Sequence, residues 1–160
     1  MTASINLPGG AIEVVSADDL LWFRPAFPAE WKGAVMVRLA AGPFYASDGI
    51  PALRTKFAAD GAKLADFTPP DMRLVMVVNA KNVTQINPAD PIINPDDARA
   101  VLAFGPKTAL AVKETPAQAQ AIVDAANRGT PAPPPVAGLD DRPAKTPRPR
   151  GRAASQRSAT

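Results

Sequence analysis

Carboxylates are the side chains of this sequence best suited to chemistry. Asp18-Asp19 follow Ser16, Asp96-Asp97 follow Asn94-Pro95, and Asp90 sits before Pro91. Hard cations such as Mg²⁺ prefer oxygen ligands, so these groups could in principle gather around one. Their spacing has a second reading. Ser-x-x-Asp and Asn-Pro-x-Asp are what turns and helix N-termini use to satisfy free backbone N–H groups. Capping is the reading the spacing favours, so no metal and no other cofactor is expected. The chain has no cysteine and no histidine. That removes the thiol nucleophile, the commonest general base and the commonest metal ligand. No P-loop, G-x-G-x-x-G or G-x-S-x-G pattern occurs. A non-catalytic protein is expected.

The aromatic-proline segment Leu21–Lys32 is the most unusual stretch of the body. It holds both tryptophans and two of the six phenylalanines. Trp and Arg dominate interface hot spots, so Trp22, Phe23, Arg24, Phe27 and Trp31 are candidate partner-binding residues. Base stacking by Trp22 or Trp31 beside Arg24 and Lys32 is a variant. The bland alternative is a loop folded over an open sheet end, with the rings as core. A surface stripe of Arg24, Lys32, Arg38 and Arg54 would favour nucleic acid binding by the body.

Charge is unevenly placed. Residues 1–127 hold 11 Lys/Arg against 13 Asp/Glu, whereas residues 128–160 hold 7 against 2. The body is therefore mildly acidic and the end of the chain is basic. Seven prolines lie between Pro131 and Pro149, with few large apolar residues. Such a segment cannot offset an ordering cost of ~1–2 kcal/mol per residue, so residues 128–160 read as a disordered tail. Its cations, Arg142, Lys145, Arg148, Arg150, Arg152 and Arg157, are candidate phosphate contacts. A solvated linker explains the same composition.

The elements that must position these groups read as a degenerate tandem repeat. The fold class is α+β, with a body over 1–127 and modules at about 5–61 and 72–127. Each module is expected to open with a hairpin. In the first, Ser4–Leu7 and Ala11–Val15 flank Pro8-Gly9-Gly10; in the second, Arg73–Val78 and Val83–Ile86 flank Asn79–Asn82. The aspartate pairs mark matching turns, and two further apolar runs follow in each module. Each module closes with a short helix. Thr115-Pro116-Ala117-Gln118 predicts a capping box for the second helix, and Gly129 its end. From residue 34 to 59 the halves align without gaps at an offset of 66. The aromatic-proline segment then reads as an insertion opposite a tight turn at Gly105-Pro106.

The run Ile93-Asn94-Pro95-Asp96, the β segment after it, Val112-Lys113-Glu114-Thr115-Pro116 and the alanine-rich helix resemble small FlbD-like proteins of flagellar gene clusters and phages. The resemblance covers about residues 73–126. It implies a small β-rich module ending in a helix, and no functional residue is carried over from it.

No apolar run reaches the ~18–20 residues of a membrane span, and Met1–Gly10 has no leader-like pattern. A cytoplasmic or virion-associated protein is expected. The functional expectation is a non-catalytic binding or assembly protein that binds a protein partner or self-associates, with a basic tail able to make electrostatic contacts to nucleic acid and no membrane partner. The alternatives are a virion or other structural component and a nucleic-acid-binding regulator.

Overall fold

A computed structural model describes residues 2–136. The first half contains strands β1 (Ala3–Asn6), β2 (Ile12–Val15), β3 (Leu20–Pro25), β4 (Val35–Leu39) and β5 (Gly42–Ala46), then helix α1 (Ile50–Ala59). The second contains β6 (Leu64–Phe67), β7 (Met76–Asn79), β8 (Gln85–Pro88), β9 (Ala100–Ala103) and β10 (Ala109–Val112), then α2 (Pro116–Arg128). One 3-10 turn, Ala17–Asp19, links β2 to β3; another, Ala80–Asn82, links β7 to β8. The fold is α+β, as the sequence pattern predicts.

The same order of elements therefore occurs twice: hairpin, 3-10 turn, three-stranded meander, helix. Equivalent positions make equivalent bonds. Ser16 caps the first 3-10 turn by accepting from Asp18 N, and Asn79 caps the second by accepting from Lys81 N. Asp48 accepts from the N–H of Asn6, and Glu114 from that of Thr68. Ser47 N donates to Asn6 O, and Lys113 N donates to Thr68 O. Ala46, Leu53 and Phe57 are buried, as are their counterparts Val112, Ala119 and Val123. The second unit starts at β6, ahead of residue 72.

Several sequence expectations are corrected. The first hairpin forms, with Ser4 opposite Val14 and Asn6 opposite Ile12. The second, between Arg73–Val78 and Val83–Ile86, does not. β7 pairs with β6 on one side and β3 on the other, while β8 pairs with β9. The cause is Asn79. Its Oδ1 accepts from Lys63 N and Lys81 N, and its Nδ2 donates to Ala17 O and Leu20 O. Buried there, Asn79 turns the chain into the 3-10 turn rather than a hairpin, and its amide is fully used.

The gapless alignment also fails by one residue. Strand registers equate Val35 with Ala100 but Ala46 with Val112, so the β9–β10 turn is one residue longer than the β4–β5 turn. Gly105 thus lies in the counterpart of the turn at Ala40-Ala41. The aromatic segment's counterpart is the loop between β8 and β9, which contains Asp96-Asp97. The two aspartate pairs are not equivalent.

Among the described residues three antiparallel sheets result: β1-β2, β10-β9-β8 and β5-β4-β3-β7-β6. The five-stranded sheet joins the units, with Trp22 opposite Val78 and Phe23 opposite Val77. Alternation then sends neighbouring side chains into different cores. Phe23 and Val77 join Ile5, Val37, Leu53 and Phe57 in the core of the first unit. Trp22 and Met36 leave the other face and enter the core of the second, with Phe67, Leu102 and Ile122; Leu21 joins them through an irregularity in the strand pairing between Leu20 and Trp22. Full burial of each such side chain stabilises by about 1.5–3 kcal/mol. Helix α2 begins with the predicted capping box, Thr115 with Gln118, and ends at Gly129 in the left-handed region at φ 70°.

Candidate functional site: the aromatic loop and its groove

The sequence candidates separate in space. Trp22 and Phe23 are core residues on opposite faces of β3; Trp22 lines a groove with Arg24 and Phe27, whereas Phe23 faces away from it into the first core. Arg24 is also buried. Its guanidinium holds Glu30 through Nη1–Oε1 at 2.9 Å and Nη2–Oε2 at 3.2 Å, and lies 3.6 Å from the centre of the Phe27 ring. Phe27 is half-buried. Trp31 alone of the five is exposed, at 55%.

Glu30 organises the loop from β3 to β4. Besides Arg24 it accepts the N–H of Phe27 at 2.7 Å and the hydroxyl of Tyr45 at 3.0 Å. The hydrogen bond from Arg24 chiefly lowers its pKa, against a smaller opposing effect of burial, and the Phe27 and Tyr45 bonds add to it. The result is about 2 instead of 4.5. The same bond raises the pKa of Tyr45, which must keep its proton to donate. Gly33, at φ 81°, provides the left-handed turn back into β4. Charge-assisted bonds of this kind are stronger than neutral ones and fix geometry. The loop is therefore a braced platform for Trp31.

Trp31 packs its ring 6.4 Å from that of Tyr45. With Leu7, Pro8, Ala11 and Phe44 the two rings line an apolar groove of about 370 Å³. Ala11 leads into β2, whose Ile12 and Val14 are 61% and 58% exposed. In the equivalent loop of the second unit, Ile92 and Ile93 are 88% and 79% exposed. Large apolar side chains at these exposures mark contact surfaces when they cluster. Of the groove residues only Trp31 is singled out by the sequence. For the rest of the surface the signal was available in Ile12-Glu13-Val14-Val15, a strand with apolar residues on both faces.

The aspartates serve as caps and ion-pair partners. Asp18 meets Lys81 at 3.3 Å, Asp90 accepts from Ile92 N, and Asp97 accepts from Asp71 N and lies 3.7 Å from Lys113. The Asp71 N–H does most to hold the Asp97 carboxyl below its usual pKa. Among the described residues no group of three or more carboxylates could hold a metal. The basic stripe is not assembled either: Arg24 is buried on Glu30 and Arg54 pairs with Asp66 at 2.7 Å.

Thr130 and Val136 are tied to the body. Thr130 N donates to Ala125 O, and Val136 N donates to Glu114 Oε2 at 2.7 Å. Arg142, Lys145, Arg148, Arg150, Arg152 and Arg157 lie outside the described residues, as does most of the expected tail. Among the described residues no helix is long and apolar enough to cross a membrane. No family model matches this chain, and no curated protein or solved structure is similar to it.

Proposed function

We propose that this chain is a non-catalytic binding or assembly protein that engages a protein partner through the groove around Trp31. One observation supports this above the rest. Arg24, Glu30 and Tyr45 brace a loop that carries an exposed tryptophan above an apolar groove. Pre-organised aromatic anchors lower the ordering cost of association. A virion or other assembly, or a cytoplasmic complex, is the setting such a surface fits. The test is affinity capture with wild-type and Trp31→Ala chains. Partners held by the wild type and lost by the variant support the reading. Partners kept by the variant but lost on truncation after Val136 move the contact to the tail.

The charge of the tail favours a second contact. Residues 128–160 carry 7 Lys/Arg against 2 Asp, which suits weak, sequence-independent binding to nucleic acid phosphates.

A further inference from the structure

The groove of the first unit has a twin in the second. Leu7, Pro8, Phe44 and Tyr45 correspond to Pro69, Pro70, Leu110 and Ala111, and both sets line a groove. The twin is not empty on its far side. Trp22, Arg24 and Met36 of the first unit wall it, carried there by the pairing of β3 with β7. The internal junction thus records what such an edge accepts: an antiparallel strand presenting large apolar side chains.

Among the described residues no strand lies against the same edge of the first unit: β2 is the counterpart of β7, and there it pairs with β1 alone. Val14 is the counterpart of Val77. Val77 is fully buried, whereas Val14 is 58% exposed, and Ile12 beside it is 61% exposed. Val77 is covered by Phe23 opposite it on β3 together with the core behind that strand, whereas Val14 has neither over it. An exposed apolar edge invites strand addition, and proteins ordinarily blunt such edges.

The opposite end of the pair is blunted. β8 is the counterpart of β3, and Thr84 and Gln85 replace Leu21 and Trp22 there. Both are exposed. Terminal units of repeat arrays carry a polar outer face for this reason. Among its described residues a second copy of the chain therefore offers β2 no β3-like strand: its β3 is occupied by its own β7, and its β8 exposes Gln85 where β3 has Trp22.

We infer that β2 is a docking edge for an extended segment of a different protein, taken antiparallel as β7 takes β3. The inference rests on the binding role proposed above and names the partner's chemistry. The internal register places the segment's residues. An aromatic residue in the place of Trp22 lies opposite Val15, an apolar one opposite Val14, and the third opposite Glu13. In β3 that third residue is Arg24, so the pattern sought is aromatic, apolar, basic.

The probe is a capped peptide carrying residues 19–27 of this chain, which contains that pattern. Fluorescence anisotropy reads its binding, and amide hydrogen exchange by NMR locates it. Binding is expected, with new protection at Ile12–Val15. A peptide with glutamate in place of Arg24 binds about two- to fivefold more weakly, and Glu13→Lys protein reverses the preference, as cross-strand charge pairs do. Val14→Lys, at an exposed position, leaves the fold intact and weakens both peptides. No binding at millimolar peptide overturns the inference, as does protection at Met76–Asn79, which means exchange into the internal junction. Self-association that protects Ile12–Val15 without peptide also overturns it, since a second copy then fills the edge. If the peptide fails while Trp31→Ala still abolishes partner capture, strand docking falls and the binding role stands.

Discussion

Asp48 and Glu114 occupy the same place in the two units, and each accepts a backbone N–H from the end of the unit's first strand, at 2.9 Å from Asn6 and 3.0 Å from Thr68. They differ in their next partner. Asp48 meets the ammonium of Lys56 at 3.0 Å, whereas Glu114 meets the N–H of Val136 at 2.7 Å. A carboxylate that links helix start to strand end in the first unit thus also ties down the C-terminal segment in the second.

Removing Glu114 should therefore have two effects. Glu114→Ala leaves the Thr68 N–H, the Thr68 hydroxyl and the Val136 N–H without this acceptor. Buried donors left unsatisfied cost about 1–3 kcal/mol each, less what water recovers, so a loss of about 2–4 kcal/mol is expected. Urea denaturation measures it. Hydrogen exchange at Val136 should also rise well before global unfolding. Unchanged exchange there would mean that the segment is held by other contacts.

Thr115→Ala tests the capping box. The Thr115 hydroxyl accepts from Gln118 N at 3.2 Å, and the Gln118 side chain accepts from Thr115 N at 2.9 Å. Loss of the first bond should destabilise by about 0.5–2 kcal/mol. The midpoint of chemical unfolding should fall with an unchanged slope.

Glu30 gives the acid response. Folded Glu30 keeps its charge down to about pH 2, whereas an ordinary glutamate takes up its proton near 4.5. The unfolded chain binds that proton first. The stability contributed by the Arg24 pair is therefore complete above pH 4.5 and is lost as pH falls toward 2. Its size is at most about 3 kcal/mol. Glu30→Gln should be less stable than wild type at pH 7, and the two curves should converge by about pH 2. Parallel curves over that range would refute the assignment. In the same variant the Trp31 emission spectrum should shift, because the loop loses its brace.

The tail predicts salt-sensitive binding. With about 4–6 phosphate contacts, affinity for a mixed-sequence duplex should fall by roughly two orders of magnitude or more between 50 and 200 mM salt. A chain ending at Val136 loses Arg142, Lys145, Arg148, Arg150, Arg152 and Arg157 and should lose this binding. Equal binding by the shortened chain would place the phosphate contacts on the body.

Local chemistry was legible in the sequence. The Pro8-Gly9-Gly10 hairpin, the Thr115–Gln118 cap and the Gly129 helix end depend on a few adjacent residues, and their backbone preferences act whatever surrounds them. The twofold occurrence of the pattern was legible for the same reason, because equivalent turns and apolar runs recur. The pairing of β7 was not. Leu74-Val75-Met76-Val77-Val78 is apolar on both faces, which says that it is covered twice but not by what. That was decided by Asn79, whose amide bonds reach Ala17 and Leu20 more than fifty residues away, and by the two cores between which β7 lies. The aromatic segment divides in the same way. Composition marked it as unusual, but strand alternation buried Trp22 and Phe23 in different cores, and the charge cluster on Glu30 left only Trp31 outside. A side chain's type sets what it can do when exposed; which of several similar side chains is exposed depends on neighbours that only the folded chain brings near.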